Sequence, residues 1–121
     1  MDFLQKFNDT FEELLRDLIL VFPDDVDFQM YSFGIKAAFM ADPKIVFTVF
    51  RDHIMKYEDK IVGRDESFFL SQDYDEYNDS NDADNIIKKL KNSWALLTDD
   101  NKDIIWRYFK VMAHLTKKIK D

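Results

Sequence analysis

The chain contains no cysteine, which excludes a disulfide framework, a thiolate metal site and a cysteine nucleophile, and is compatible with a reducing compartment. Glycine and proline occur only twice each. Two glycines cannot supply a phosphate-cradling loop, a dinucleotide fingerprint or a nucleophile elbow. Basic residues are in deficit: 17 Lys and Arg stand against 24 Asp and Glu, a net charge of −7. A nucleic-acid backbone or an anionic bilayer needs a basic footprint, so neither is expected as a direct partner. Histidine is scarce too, at two residues. His53 falls on the apolar side of a predicted helix, among Val46, Val49 and Tyr57, the setting of a core or boundary residue. His114 has neither a second histidine at i+4 nor an HExxH arrangement, so a metal role has no support. Asp65 and Glu66 are sequence neighbours; they splay apart on a helix and suit its start better than acid/base work. No catalytic constellation emerges, and neither an enzyme activity nor a cofactor is expected.

What is present is apolar and aromatic. Across 121 residues, 46% are hydrophobic and 16% aromatic, enough for one domain with its own core. The stretch MDFLQKFNDTFEELLRDLILVF carries charges among its apolar positions, unlike a signal peptide or a membrane span. A soluble, intracellular protein is therefore expected. With so few helix breakers, the reading is all-α: a single domain over 1–121, a compact bundle of about five helices with an acidic connector at about 72–83 before the fourth.

The first helix is predicted from about Asp2 to Phe22, with Phe3, Phe7, Phe11, Leu14, Leu18 and Phe22 at steps of three and four until Pro23. The second follows the capping pair Asp24 and Asp25. One side carries Phe28, Tyr31, Ile35, Ala38 and Phe39; the other carries Met30, Phe33, Ala37 and Met40, leaving Gln29, Ser32 and Lys36 as a narrow polar strip. A helix apolar nearly all round is expected to be central and most buried. Asp42-Pro43 reads as an N-cap and first helical position opening a third helix through Ile45, Val49, Phe50, Ile54, Tyr57 and Ile61, closed by Gly63. RDESFFL at 64–70 predicts a short turn that plugs Phe68, Phe69 and Leu70 into the core. Ile86, Leu90, Trp94 and Leu97 define the fourth helix. Thr98 or Asp99 caps a fifth with the stripe Ile105, Tyr108, Met112, Leu115 and Ile119, and with Lys117, Lys118 and Lys120 near its negative end.

The run DYDEYNDSNDADN at 73–85 raises the question of a metal loop. An EF-hand needs glycine at position 6 and a bidentate glutamate at 12. Counting from Asp73 places Asp75 at 3 and Asp79 at 7, but Tyr77 at 5, Asn78 at 6 and Asp84 at 12. The register fails, and a solvated connector that supplies cap residues is the simpler reading. Weak calcium binding, and docking of Asp73, Asp75 and Glu76 to a basic partner, are the other uses open to it.

The two tryptophans differ. Trp94 lies within its helix's apolar stripe and is expected in the core. Trp106 lies off the centre of the fifth helix's stripe, on the side shared with Lys102, Lys110 and Lys117. Two readings stand: the helix is buried along two flanks, or Trp106 with Lys110 forms a partner-facing anchor. The second makes Trp106 the candidate interface residue, with Phe47 a further flanking aromatic.

The segments SWALLTDDNKDIIWRYFKVMAHL, FNDTFEELLRDLILVFPDD and RDESFFL resemble a group of small helical proteins encoded by large nucleocytoplasmic DNA viruses, including those of algae. The similarity runs along most of the chain, and its motifs are structural. It implies a viral origin, in the virion or the infected-cell cytoplasm, and assigns no functional residue. Two function classes follow: a non-enzymatic protein–protein interaction or virion-associated protein, with a viral or host partner or a second copy, and an acidic decoy whose carboxylates occupy a partner's basic nucleic-acid-binding groove.

Overall fold

The computed structural model describes residues 2–70 and 82–119. Among them there is no strand, and counting the helical run from 45 to 62 as one, five principal helices form an all-α bundle. Helix α1 spans Phe3–Val21; the Asp2 carboxylate caps it by accepting from the Gln5 N–H at 3.0 Å. Its predicted stripe faces inward, with Phe7, Phe11, Leu14 and Leu18 buried. Helix α7, Asp99–Lys118, is capped by the Thr98 hydroxyl, which accepts from the Asn101 N–H at 3.2 Å. The α1–α7 pair is the spine of the bundle.

Residues 45–62 wrap this spine as a helix of changing pitch. Helix α3 (Ile45–Val49) passes into a π-helical turn (Phe50–Ile54), a 3₁₀ turn (Met55–Tyr57) and helix α4 (Glu58–Val62). The pitch changes rotate the chain so that Val46, Phe47, Phe50, Ile54 and Ile61 all reach the interior. An uninterrupted helix was expected here. Asp42 also differs from expectation: its carboxylate accepts from the Lys44 N–H at 3.0 Å in a side-chain turn, and α3 begins at Ile45, after Pro43. Gly63 ends the run, yet the left-handed residue is Arg64, at φ 53°.

The short helix α5 (Ser67–Leu70) is begun by Asp65, whose carboxylate accepts from the Ser67 N–H at 3.0 Å. Phe68 is buried as expected, but Leu70 points outward and is exposed, because four residues form little more than one turn and cannot aim every side chain inward. Phe69 lies outside the described side chains, as does Ile86. Helix α6 (Asp82–Ser93) and the 3₁₀ turn Trp94–Leu96 bury Leu90, Trp94 and Leu97. The helix thus includes the last residues assigned to the connector. Lys120 lies outside the described residues.

Aromatic rings join these elements. Phe7 packs edge-on against Phe47 and Phe50, with centroids 6.0 and 5.5 Å apart; Phe50 meets Phe109 at 6.0 Å, and Phe109 meets Phe68 at 6.1 Å. Such pairs add about 0.5–1.5 kcal/mol beyond area burial. They link α1, the π turn, α7 and α5.

Helix α2 (Val26–Ala41) corrects the largest expectation. It is not central: only Phe28 and Ile35 are buried, and its main contacts are with α1 and α6. The interior is already filled by the phenylalanines of α1, the 45–62 run and α7, so α2 lies along the outside with one face inward.

Candidate functional site

The proposed aromatic anchor is not at the surface. Trp106 is 4% exposed and meets Trp94, 0% exposed, edge to face at a centroid distance of 5.3 Å. Helix α7 buries a broad face, Ile105, Trp106, Phe109, Met112, Ala113, Leu115 and Thr116, because α1 covers one flank and α4 another. Burial along two flanks is the outcome, and Trp106 is a core residue instead of a surface anchor. Phe47 is buried as well. Lys110 is exposed on α7, and without Trp106 beside it no aromatic patch forms there. Asp73, Asp75 and Glu76 lie outside the described residues. His53 is half-buried, as a boundary residue should be, and His114 is exposed.

The apolar surface lies instead on α2. Its N-terminus is fixed by Asp25, whose carboxylate accepts from the Asp27 N–H at 3.0 Å. Lys89 of α6 bridges Asp25 and Asp27, at 2.8 Å from each. The Lys89 hydrogen bond holds the Asp25 carboxyl below its ordinary range, against a smaller opposing effect of burial. The same two carboxylates raise the Lys89 ammonium. This clamp and the inward anchors Phe28 and Ile35 set the rotation of the helix, with Tyr31, Ala38 and Phe39 half-buried beside them.

That rotation turns the second apolar side to solvent. Val26 is 61% exposed, Met30 67%, Phe33 79% and Met40 90%, and Ala37 between them is exposed. Their spacing is +4, +3, +4, +3, the alternation by which helices seat side chains into one another. Together they present on the order of 600 Å² of apolar surface, at the top of the range for the largest patch on a monomer. Only two of the 16 residues of α2 are charged, Asp27 and Lys36. Asp27 is engaged by Lys89, which leaves Lys36 and Gln29 to border the stripe.

A smaller groove of about 320 Å³ runs between α1 and α7, lined by Thr10, Glu13, Ile104, Arg107, Tyr108 and Val111. The Tyr108 hydroxyl donates to the Asp17 carboxylate. Burial first, and that hydrogen bond second, raise the phenol well above its ordinary range, so Tyr108 stays protonated and is no base. Arg107 pairs with Asp103 one turn away, at 2.9 Å. Among the described residues, no group of three or more His, Asp or Glu could hold a metal ion, and no helix is long and apolar enough to cross a membrane.

Fold and surface together define a small all-α bundle with one helix apolar on both sides and covered on one. No protein-family model, curated protein or solved structure matches the chain.

Both apolar sides of α2 are visible in the sequence, where both are expected in the core. The available signal was the heptad-like spacing of the Met30–Phe33–Met40 side together with the near absence of charge along the helix.

Proposed function

We propose that the protein is a non-enzymatic helical interaction module that docks a protein partner on the exposed apolar face of α2. The observation that carries this reading is the row Val26, Met30, Phe33, Ala37 and Met40, open to solvent on a helix held in place by Phe28, Ile35 and the Lys89 clamp. Side chains such as Phe33 and Met40 contribute little to folding while they face water, and each becomes favourable when a partner covers it. The chemistry suited to the face is another amphipathic helix laid along the stripe. A membrane surface suits it less, since interfacial helices carry Lys and Arg along their polar edge and α2 has only Lys36. A viral origin, implied only by the sequence resemblance, would put such a module in a virion or an infected cell.

The test is site-specific photo-crosslinking in expressing cells, with a photoreactive residue at Phe33 or, for comparison, at exposed His114 on α7. Adducts of defined mass from position 33 and none from 114 are expected. Equal labelling from both positions, or none from position 33, refutes the assignment of the surface.

A further inference from the structure

Resting on that reading, we infer that the partner on α2 is a second copy of this chain, paired antiparallel about a two-fold axis near Phe33. Three observations converge on this occupant. The first is area: two faces of about 600 Å² remove about 1,200 Å² from water, the lower edge of a stable, specific interface. No other large surface is required.

The second is shape. An isologous contact needs a patch that fits itself, and the stripe is close to symmetric about Phe33. Val26 and Met40 lie seven residues to either side, with Met30 and Ala37 between. Reversed and laid on itself about Phe33, it sets Phe33 beside Phe33, Met30 beside Ala37 and Val26 beside Met40 of the other copy. The resulting layers alternate as knobs and holes do.

The third is charge. A chain of net charge −7 repels its copies over most of its surface. Along α2 the repulsion is least, because Asp25 and Asp27 are engaged by Lys89 and the helix adds only Lys36. A parallel arrangement would stack the acidic α1–α2 turns, with Asp24 and Asp25, against one another. The antiparallel one separates them and brings Lys36 to within about one turn of Asp27 of the other copy, while Asp42 of each copy, with Lys44 near it, comes level with Asp24 of the other.

Sedimentation velocity over a concentration series reads this directly. Wild type is expected to sediment as a dimer that dissociates on dilution. Phe33→Glu should weaken the dimer by about 30-fold or more, the loss of one interface hot spot, with unchanged helical circular dichroism and melting temperature when compared as monomers. Leu20→Glu, at an exposed position on α1, should leave the dimer intact. Because the chain has no cysteine, Phe33→Cys gives a second reading: mild oxidation should link two chains through this residue, whereas His114→Cys should not. A wild type that stays monomeric at about 100 µM, or a dimer that survives Phe33→Glu, overturns the inference. If the monomer nevertheless crosslinks from Phe33 to a different protein, self-pairing fails and the interaction module stands. If position 33 labels nothing, both fail.

Discussion

The edge-to-face pair Trp94 and Trp106 sets the most direct test of the core. Both rings are buried, and their centroids lie 5.3 Å apart at an interplanar angle of 72°. The Trp94 indole N–H also donates to the Glu66 carboxylate at 3.3 Å, and that carboxylate pairs with Lys102 at 3.1 Å. Truncating either ring to alanine should cost about 3–5 kcal/mol from lost burial plus a cavity, a large share of the roughly 5–15 kcal/mol that holds a domain folded. Leucine leaves part of the volume filled, so Trp94→Leu and Trp106→Leu are expected to cost on the order of 2–3 kcal/mol each. The double variant should cost less than the sum by about 0.5–1.5 kcal/mol, the energy specific to the ring pair. Urea unfolding followed by circular dichroism suits all four proteins. Intrinsic fluorescence serves the wild type and single variants, because these are the chain's two tryptophans. The reasoning fails if Trp106→Leu costs under about 0.5 kcal/mol, as at an exposed position, or if the two losses add without remainder.

Helix α2 should be two-faced in energy as in geometry. Ile35→Ala, at a fully buried position, is expected to cost about 2–5 kcal/mol, and a wild-type denaturation midpoint would show that the inward face is misassigned. The Lys89 clamp gives a pH signature. Because Lys89 lowers the folded-state pKa of Asp25, the pair's contribution is present above the unfolded carboxylate value of about 3.9 and is lost as pH falls through the lower folded-state value. Comparing the melting temperatures of wild type and Lys89→Met, the gap should be flat through neutral pH and should close below about pH 4; a gap that persists in acid would exclude the carboxylate partners. For the run 73–82, whose missing glycine and misplaced tyrosine spoil a calcium loop, calorimetry is expected to detect no stoichiometric micromolar site. A site that disappears in Asp73→Asn and Asp75→Asn would refute this.

Much of the fold is legible in the chain itself. The Phe3-to-Phe22 stripe and the residues Asp2, Asp25 and Thr98 mark where three helices begin, because a periodic apolar face and a capping oxygen act over a few residues and need no distant partner. The pitch changes at 50–57 are not legible. No glycine or proline marks them, and they arise from fitting Phe50 against Phe7 and Phe109 while Ile54 is buried, a demand set by elements far away in sequence. Trp106 shows the same limit from the other side. A helical wheel locates the centre of a stripe, but the width of the buried face depends on how many neighbours surround the helix, and α1, α4 and the Trp94 ring make that face wide enough to take in the indole.

For the candidate site, the sequence by itself determined that α2 is apolar on two sides and nearly uncharged. Only the tertiary structure decided which side is satisfied within the chain. Apolar side chains favour removal from water whatever removes it, so the pattern of residues is the same for a helix in the middle of a bundle and for one awaiting a second surface. Packing separates the two: Phe28 and Ile35 find α1 and α6, while Met30, Phe33 and Met40 meet solvent, because the phenylalanine-rich helices have already filled the interior that α2 would have needed to occupy.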